Sequence, residues 1–224
     1  MPLQLDGAVI TRIAVVDDSE DARNSLADEL RDAAFEAFAP DGPFDSLASL
    51  TTKVRETCQA AVFDHHLRTR AFAPCTGAEA VDDLYRHQFP AVLVTGWSEA
   101  DIDQIRRHRK YLPVLLKPEE ATLDRIGDGI RICFQEFNNT FTATRRPWRT
   151  LVRIEDVDRS QTTPIVYAIV PAWNSKKAVR FPLDVVASMA LHNEVKAGAR
   201  FFAWVNIGAE HQADLFFDDF EFRG

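Results

Sequence analysis

Between residues 12 and 137, short β-branched apolar runs alternate with longer segments of helical period, and no other feature of the chain narrows its fold so far. The runs and the segments that follow them are 12–16 and 21–34, 36–39 and 44–56, 60–63 and 78–88, 91–95 and 99–110, and 113–116 and 121–137. Leu26 and Leu30, Val81 and Leu84, and Ile126 and Ile130 stand at helical spacing within the longer segments. Such alternation predicts βαβ units around a parallel sheet, an α/β fold with five βα pairs.

The pattern changes after Asn138, where Thr140, Thr142, Thr144, Arg145, Arg146 and Pro147 form a polar stretch that ends helical continuation. The expected division is a first domain at 1–138, a linker at 139–147 and a second domain at 148–224. The second domain reads as strands at 148–154, 165–172 and 178–183, a short helical patch at 184–191, and strands at 200–207 and 215–222. Phe201, Ala203, Val205 and Ile207 alternate with Phe202, Trp204 and Asn206. This element order is that of a small mainly-β domain of the OB-like barrel type.

Charge divides along the same line: 15 Lys and Arg stand against 24 Asp and Glu before Thr144, and 11 against 10 after it. With 46% hydrophobic residues, 9 Gly and 11 Pro, disordered and collagen-like classes are excluded. No run approaches the roughly 18 apolar residues of a membrane span, so no membrane partner is expected. Cys58, Cys75 and Cys133 form no CxxC pair, which predicts neither a disulfide framework nor a structural zinc site; a reducing cytoplasm is the expected compartment.

Chemistry gathers at the ends of the predicted strands, where ligands of open α/β sheets bind. The first strand stops at Asp17 and Asp18, the third at Asp64, the fourth at Thr95 and Gly96, and the fifth at Lys117 and Pro118. Three carboxylates brought together repel one another unless a cation neutralises them, and hard oxygen ligands favour Mg²⁺. A carboxylate held beside Mg²⁺ and a lysine can attack a phosphoryl group, giving an aspartyl phosphate. Asp64 is the expected nucleophile, with Thr95 and Lys117 bonding phosphoryl oxygens. The predicted metal-facing set is Asp17, Asp18, Asp64 and His66. Gly96 leaves room for the phosphoryl donor, and Pro118 fixes the turn after Lys117, with a cis peptide as one way to do so.

At these residues the chain resembles the receiver domain of two-component response regulators, in which an acidic pair, an acceptor aspartate, a Thr or Ser and a Lys-Pro recur in this order. The resemblance covers roughly residues 11 to 138. It implies a doubly wound sheet of order 2-1-3-4-5, phosphorylation by a sensor histidine kinase, and an ion contacted directly by the second acid of the pair and largely through water by the first. Three departures stand out. Asp64 is followed by His65, His66 and Leu67, and Gly77 lies thirteen residues on, whereas the family has a proline soon after the acceptor and a glycine about eight residues after it. Val114 occupies the position of a switch Tyr or Phe. His66 and Trp97, two residues past Asp64 and Thr95, are bulky enough to shield a phosphoryl group, which predicts slow hydrolysis.

Other readings compete. Val62, Phe63, Asp64, His65 and His66 also resemble the metal-binding Asp-His-His motif of the DHH phosphoesterases, although that reading leaves Thr95 and Lys117 without a role. Asp17 and Asp18 could cap the first helix with Ser19. The basic run Arg106, Arg107, His108, Arg109 and Lys110 reads as dipole complementation on a solvated face, or as a docking patch for a partner. No nucleophile and base pair is apparent after residue 145, so the chain is expected to act as a phosphoacceptor and not as a classical enzyme. The second domain is expected to bind a protein partner or to form a phosphorylation-dependent homodimer, with DNA not expected. A nucleic-acid surface built from Tyr167, Trp173, Phe202 and Trp204 with Lys176, Lys177 and Arg180 is the alternative.

Overall fold

Burial on both faces drives the apolar runs of the first part into a parallel sheet. The computed structural model describes residues 3–5, 8–96 and 99–223. The chain divides into two units, one of residues 1–97 with 111–140 and the other of residues 98–110 with 141–224.

In the first unit, β1 (Leu3–Leu5) and β2 (Ala8–Ile10) form an antiparallel hairpin. The parallel strands are β3 (Arg12–Val16), β4 (Glu36–Phe38), β5 (Ala60–Asp64), β6 (Ala91–Val94) and β7 (Leu115–Leu116). Their order is β4-β3-β5-β6-β7, which is 2-1-3-4-5 counted from the first parallel strand. The chain's helices are α1 (Glu20–Asp32), α2 (Leu47–Thr57), α3 (Gly77–Arg86), α4 (Glu99–His108) and α5 (Leu123–Phe137).

Local sequence sets the starts of several helices. Ser46 and Thr76 each form a reciprocal capping box, with Ser49 and Glu79, and the Thr122 hydroxyl accepts from the Arg125 N–H. Ile126 and Ile130 of α5 pack with Ile13, Val15, Val62, Val92 and Leu116 in one core, which also takes Ala27 and Leu30 of α1. Full burial of one such side chain contributes about 1.5–3 kcal/mol. Val114 joins this core in part: a Cβ on Gly129 of α5 would meet Val92 Cγ2 at 2.7 Å and Val114 Cγ1 at 3.3 Å. The helix therefore lies close against the sheet, and Val114 is one of the residues it lies against.

The second unit carries β8 (Trp148–Asp158), β9 (Ile165–Val170), β10 (Asn174–Pro182), β11 (Arg200–Val205) and β12 (Phe217–Arg223). They form an antiparallel sheet of order β10-β9-β8-β11-β12 over a core that includes Val152, Ile154, Val166, Phe181, Phe201 and Phe217. Among the described residues the sheet is open, with β10 and β12 at its edges. These edges meet through side chains: Phe181 of β10 lies 4.7 Å from Phe217 and 6.0 Å from Phe220 of β12, centroid to centroid. Rings stand where a closed OB-like barrel has a ladder. The helical patch expected at 184–191 forms two short 3₁₀ turns, Leu183–Val185 and Met189–Leu191, because so few residues cannot offset the cost of nucleating an α-helix.

Two expectations are corrected here. Residues 141–147 do not behave as a linker, since Arg145 is buried, donates to the carbonyls of Arg109 (3.0 Å) and Lys110 (2.7 Å), and lies over Phe216. The Asn206 side chain likewise donates to the Thr144 carbonyl at 3.0 Å. The second correction is α4, which groups with the β-rich unit. Its basic run is no solvated face: Arg106 is 3% exposed and donates to the carbonyls of Gln212 (2.7 Å) and Leu215 (2.5 Å). Arg107 pairs with Asp184, Arg109 with Asp214 and Lys110 with Asp218, while Asp103 receives Arg180 at 2.5 Å. Burial, then repulsion from Arg109, lowers the Arg106 pKa to about 10, which still leaves it charged at neutral pH. The partners lie far away in sequence, so a local reading of the run assigns it to solvent. Among the described residues no helix is long and apolar enough to cross a membrane, and Cys58, Cys75 and Cys133 are buried thiols that form no disulfide.

Candidate functional site

The parallel register brings the acids together. Val16, the last residue of β3, pairs with Phe63, and Asp64, the last residue of β5, pairs with Val94. Asp17 and Asp18 therefore emerge beside Asp64, and one carboxylate oxygen from each of the three lies within 4.8 Å of the others. His66 is not in this cluster, contrary to the expectation that it faces a metal. Its backbone N–H donates to Asp64 Oδ2 at 2.6 Å, and it is exposed beside the His65 ring. His65 is buried, and neither histidine of the Asp-His-His sequence joins the acids in a ligand cluster among the described residues.

Backbone donors orient the carboxylates. The Ser19 N–H reaches Asp17 Oδ1 at 2.7 Å, and the Arg70 N–H reaches Asp18 Oδ2 at 3.0 Å. Arg23, itself buried, donates to the Asp17 carbonyl at 2.7 Å. Ser19 is the N-cap residue of α1, but its side chain makes no capping bond, so the acidic pair is not explained as a helix cap. Burial, then the neighbouring Asp18, raises the Asp17 pKa against the Ser19 hydrogen bond. Burial and Asp17 raise that of Asp64 against the His66 N–H. Both shifts report carboxylates whose negative charge is under-compensated by the protein.

Thr95 follows β6 directly, one residue past the register partner of Asp64. It is fully buried, and its hydroxyl has no hydrogen-bond partner among the described residues. Such a group costs about 1–3 kcal/mol if nothing ever satisfies it. Gly96 is exposed, and a Cβ there would come no closer than 3.9 Å to Pro118. Lys117 stands at the end of β7, is exposed, and donates its backbone N–H to Glu120 Oε2. The cis X-Pro bond among the described residues is Gly42–Pro43, so the Lys117–Pro118 turn is made with a trans peptide. A cavity of about 340 Å³ opens beside the acids, lined by Asp17, Ser25, Glu29, Asp64, Pro118 and Ala121. Trp97 lies outside the described residues.

The long segment after Asp64 is ordered by its own contacts. Arg68 bridges the Pro74 carbonyl and the Glu79 carboxylate, Ala73 bonds to Leu67, and Phe72 is buried under Arg23. Its path returns Gly77 to the acceptor strand. The Gly77 N–H donates to the His65 carbonyl at 3.0 Å, and a Cβ on Gly77 would lie 1.9 Å from the Asp64 carbonyl oxygen. Sequence reasoning missed the parts played by Arg70 and Gly77. The length of the segment was their only signal.

A doubly wound domain with an acidic pocket at the carboxyl ends of its central strands is what fold and site together define. No family model and no curated protein matches the chain. The solved structures it matches include response regulator receiver domains, over 55–58% of the chain and without its C-terminal domain. A receiver domain protein from Clostridium thermocellum is 12% identical with a TM-score of 0.43, over 58% of this chain and 98% of its own. The beryllofluoride-activated NtrC4 receiver domain dimer is 20% identical at 0.41, over 57% and 99%. The NtrX receiver domain from Brucella abortus is 16% identical at 0.42, over 55% and 98%.

Proposed function

We propose that the chain is a two-component response regulator in which Asp64 accepts a phosphoryl group from a sensor histidine kinase. The observation that carries this reading is the convergence of Asp17, Asp18 and Asp64 within 4.8 Å at adjacent strand ends. The raised pKa values of Asp17 and Asp64 and the hard oxygen donors of all three acids fit Mg²⁺, which would be held by these three side chains and would neutralise charge on the phosphoryl oxygens. In the transfer, an Asp64 carboxylate oxygen bonds to phosphorus as the bond from phosphorus to the donor nitrogen breaks. The electron pair leaves with the donor imidazole. Thr95, whose buried hydroxyl lacks a partner among the described residues, would donate to one phosphoryl oxygen, and the Lys117 ammonium would pair with another. The exposed His66, two residues past the acceptor, would slow hydrolysis by shielding the product.

The change then passes along the chain from Thr95 into α4, a helix that belongs to the β-rich unit. An aspartyl phosphate adds charge and acceptor oxygens beside Thr95, and the output is a change in what the second unit binds, including a second copy of the chain. Incubation with acetyl phosphate and Mg²⁺ followed by intact-mass measurement tests this. One phosphoryl group is expected in the wild type and none in Asp64→Asn; phosphorylation persisting in that variant overturns the assignment.

A further inference from the structure

The outward face of the β-rich sheet carries a pattern that the phosphoacceptor site does not use. Thr150, Val152 and Ile154 of β8 and Phe201, Ala203 and Val205 of β11 are buried, so the residues between them face away from the core. Register then sets these outward residues in rows across β8, β11 and β12. One row is Arg153, Arg200 and Arg223; the next is Leu151, Phe202 and Glu221; the third is Arg149, Trp204 and Asp218. Neighbouring strands are about 4.8 Å apart, so the first row holds three guanidinium groups side by side, an arrangement that destabilises a sheet.

The acids nearby neutralise only Arg153 of that row. Glu155 pairs with Arg153 at 2.6 Å, Glu221 pairs with Arg149, and Asp218 takes Lys110. Asp214 pairs with Arg109, so much of the acidic stretch near the C-terminus is already matched in place. Arg146, Arg200 and Arg223 have no acidic partner among the described residues. A flat surface interleaves with these charges: Arg149 and Arg223 lie 4.2 and 4.5 Å from the Phe202 ring centroid. Trp204, on the same face, is 40% exposed, whereas Trp148 pairs with the buried Val205 and lies on the opposite side of the sheet. The nucleic-acid surface expected from the sequence shares Phe202 and Trp204 with this face but draws its cations from Lys176, Lys177 and Arg180. The structure removes two of its residues, since Trp173 donates its indole N–H to the Ala209 carbonyl and Arg180 is paired with Asp103.

We propose that this face binds single-stranded nucleic acid, with bases stacking on Trp204 and phosphates lying along the row of Arg153, Arg200 and Arg223. An acidic peptide would satisfy the arginines and leave the rings without a role. A duplex hides its base faces, whereas a single strand offers both a repeating anion and unstacked rings. The inference stands independently of phosphorylation.

The test is fluorescence anisotropy of the full chain against a labelled oligothymidylate, a duplex of equal length and a polyglutamate peptide, each at two salt concentrations. The single strand should bind most tightly, and its affinity should fall as salt rises. Trp204→Ala should weaken binding about tenfold through lost stacking. Arg200→Ser, at an exposed position, should weaken it and lower the salt slope by roughly 0.7, the release of about one phosphate contact. Circular dichroism checks folding, and if Trp204→Ala fails to fold, Arg200→Ser decides alone. No binding of the single strand, polyglutamate or duplex binding as tight as the single strand, or wild-type affinity and salt slope in the folded variants would each overturn the proposal.

Discussion

Gly77→Ala is the smallest change that reaches the acceptor through the backbone. The added Cβ would lie 1.9 Å from the Asp64 carbonyl oxygen and 2.8 Å from its carbonyl carbon, where real Cβ atoms stay beyond 3.0 Å, so the two chain segments must part by about 1 Å. A flexible side chain could yield, but the obstacle is backbone of β5, a strand bonded to β3 on one side and β6 on the other. Overpacking of this kind costs about 1–3 kcal/mol, and stretching the Gly77 N–H bond to the His65 carbonyl costs about 1 kcal/mol more. The expected destabilisation is therefore about 2–4 kcal/mol, read from urea unfolding. A 1 Å displacement of a reacting group can slow a reaction by about 10²-fold, so labelling by acetyl phosphate should slow by a comparable factor. Gly127→Ala is the control: its Cβ would meet nothing closer than Leu3 Cδ1 at 4.0 Å, and in the interior of α5 it should stabilise by up to about 1 kcal/mol. A Gly77→Ala protein that unfolds at the wild-type urea concentration and is labelled at the wild-type rate would refute the reasoning.

The acidic cluster carries a pH signature. Folding raises the pKa values of Asp17 and Asp64 above 3.8, so the folded chain holds these protons more tightly than the unfolded chain. Their contribution is destabilising, complete above the raised values and absent below about 3.8. Without divalent cation, Asp64→Asn should therefore be more stable than wild type at pH 7, with the difference fading as pH falls toward 3.8, and Mg²⁺ should stabilise wild type more than the variant. Urea midpoints in EDTA and in Mg²⁺ check both signs. For α4, Arg180→Met should cost about 3–5 kcal/mol by leaving the Asp103 carboxylate buried without its arginine, and the double variant with Asp103→Leu should recover most of that loss; equal stability of single and double variants would contradict the pairing.

How much of this was legible in the sequence follows from the range of the interactions. Period and cap chemistry are local, so 12–16 and the helix ending at Phe137 could be read closely, and the strand ends gathered Asp17, Asp18 and Asp64 before any coordinates did. The failures lie where the partner is distant. Arg106 and Arg109 look like a solvated basic run until the carbonyls of Gln212 and Leu215 and the carboxylate of Asp214 cover them. Gly77 looks misplaced until the segment after Asp64 folds back on the acceptor strand. His66 sits next to the acidic cluster in sequence, yet the hydrogen bond it gives Asp64 comes from its backbone N–H, and its ring is not one of the clustered ligand groups.

Mapping the acyl phosphate tests the central claim most directly. Borohydride reduces an aspartyl phosphate to the alcohol, so the modified residue reads as homoserine after digestion and peptide sequencing by mass spectrometry. With acetyl phosphate and Mg²⁺, the account predicts homoserine at position 64, none at 17 or 18, and none anywhere when Mg²⁺ is chelated. Homoserine at position 17 or 18, or its absence from position 64 of a folded, Mg²⁺-supplied protein, would contradict it.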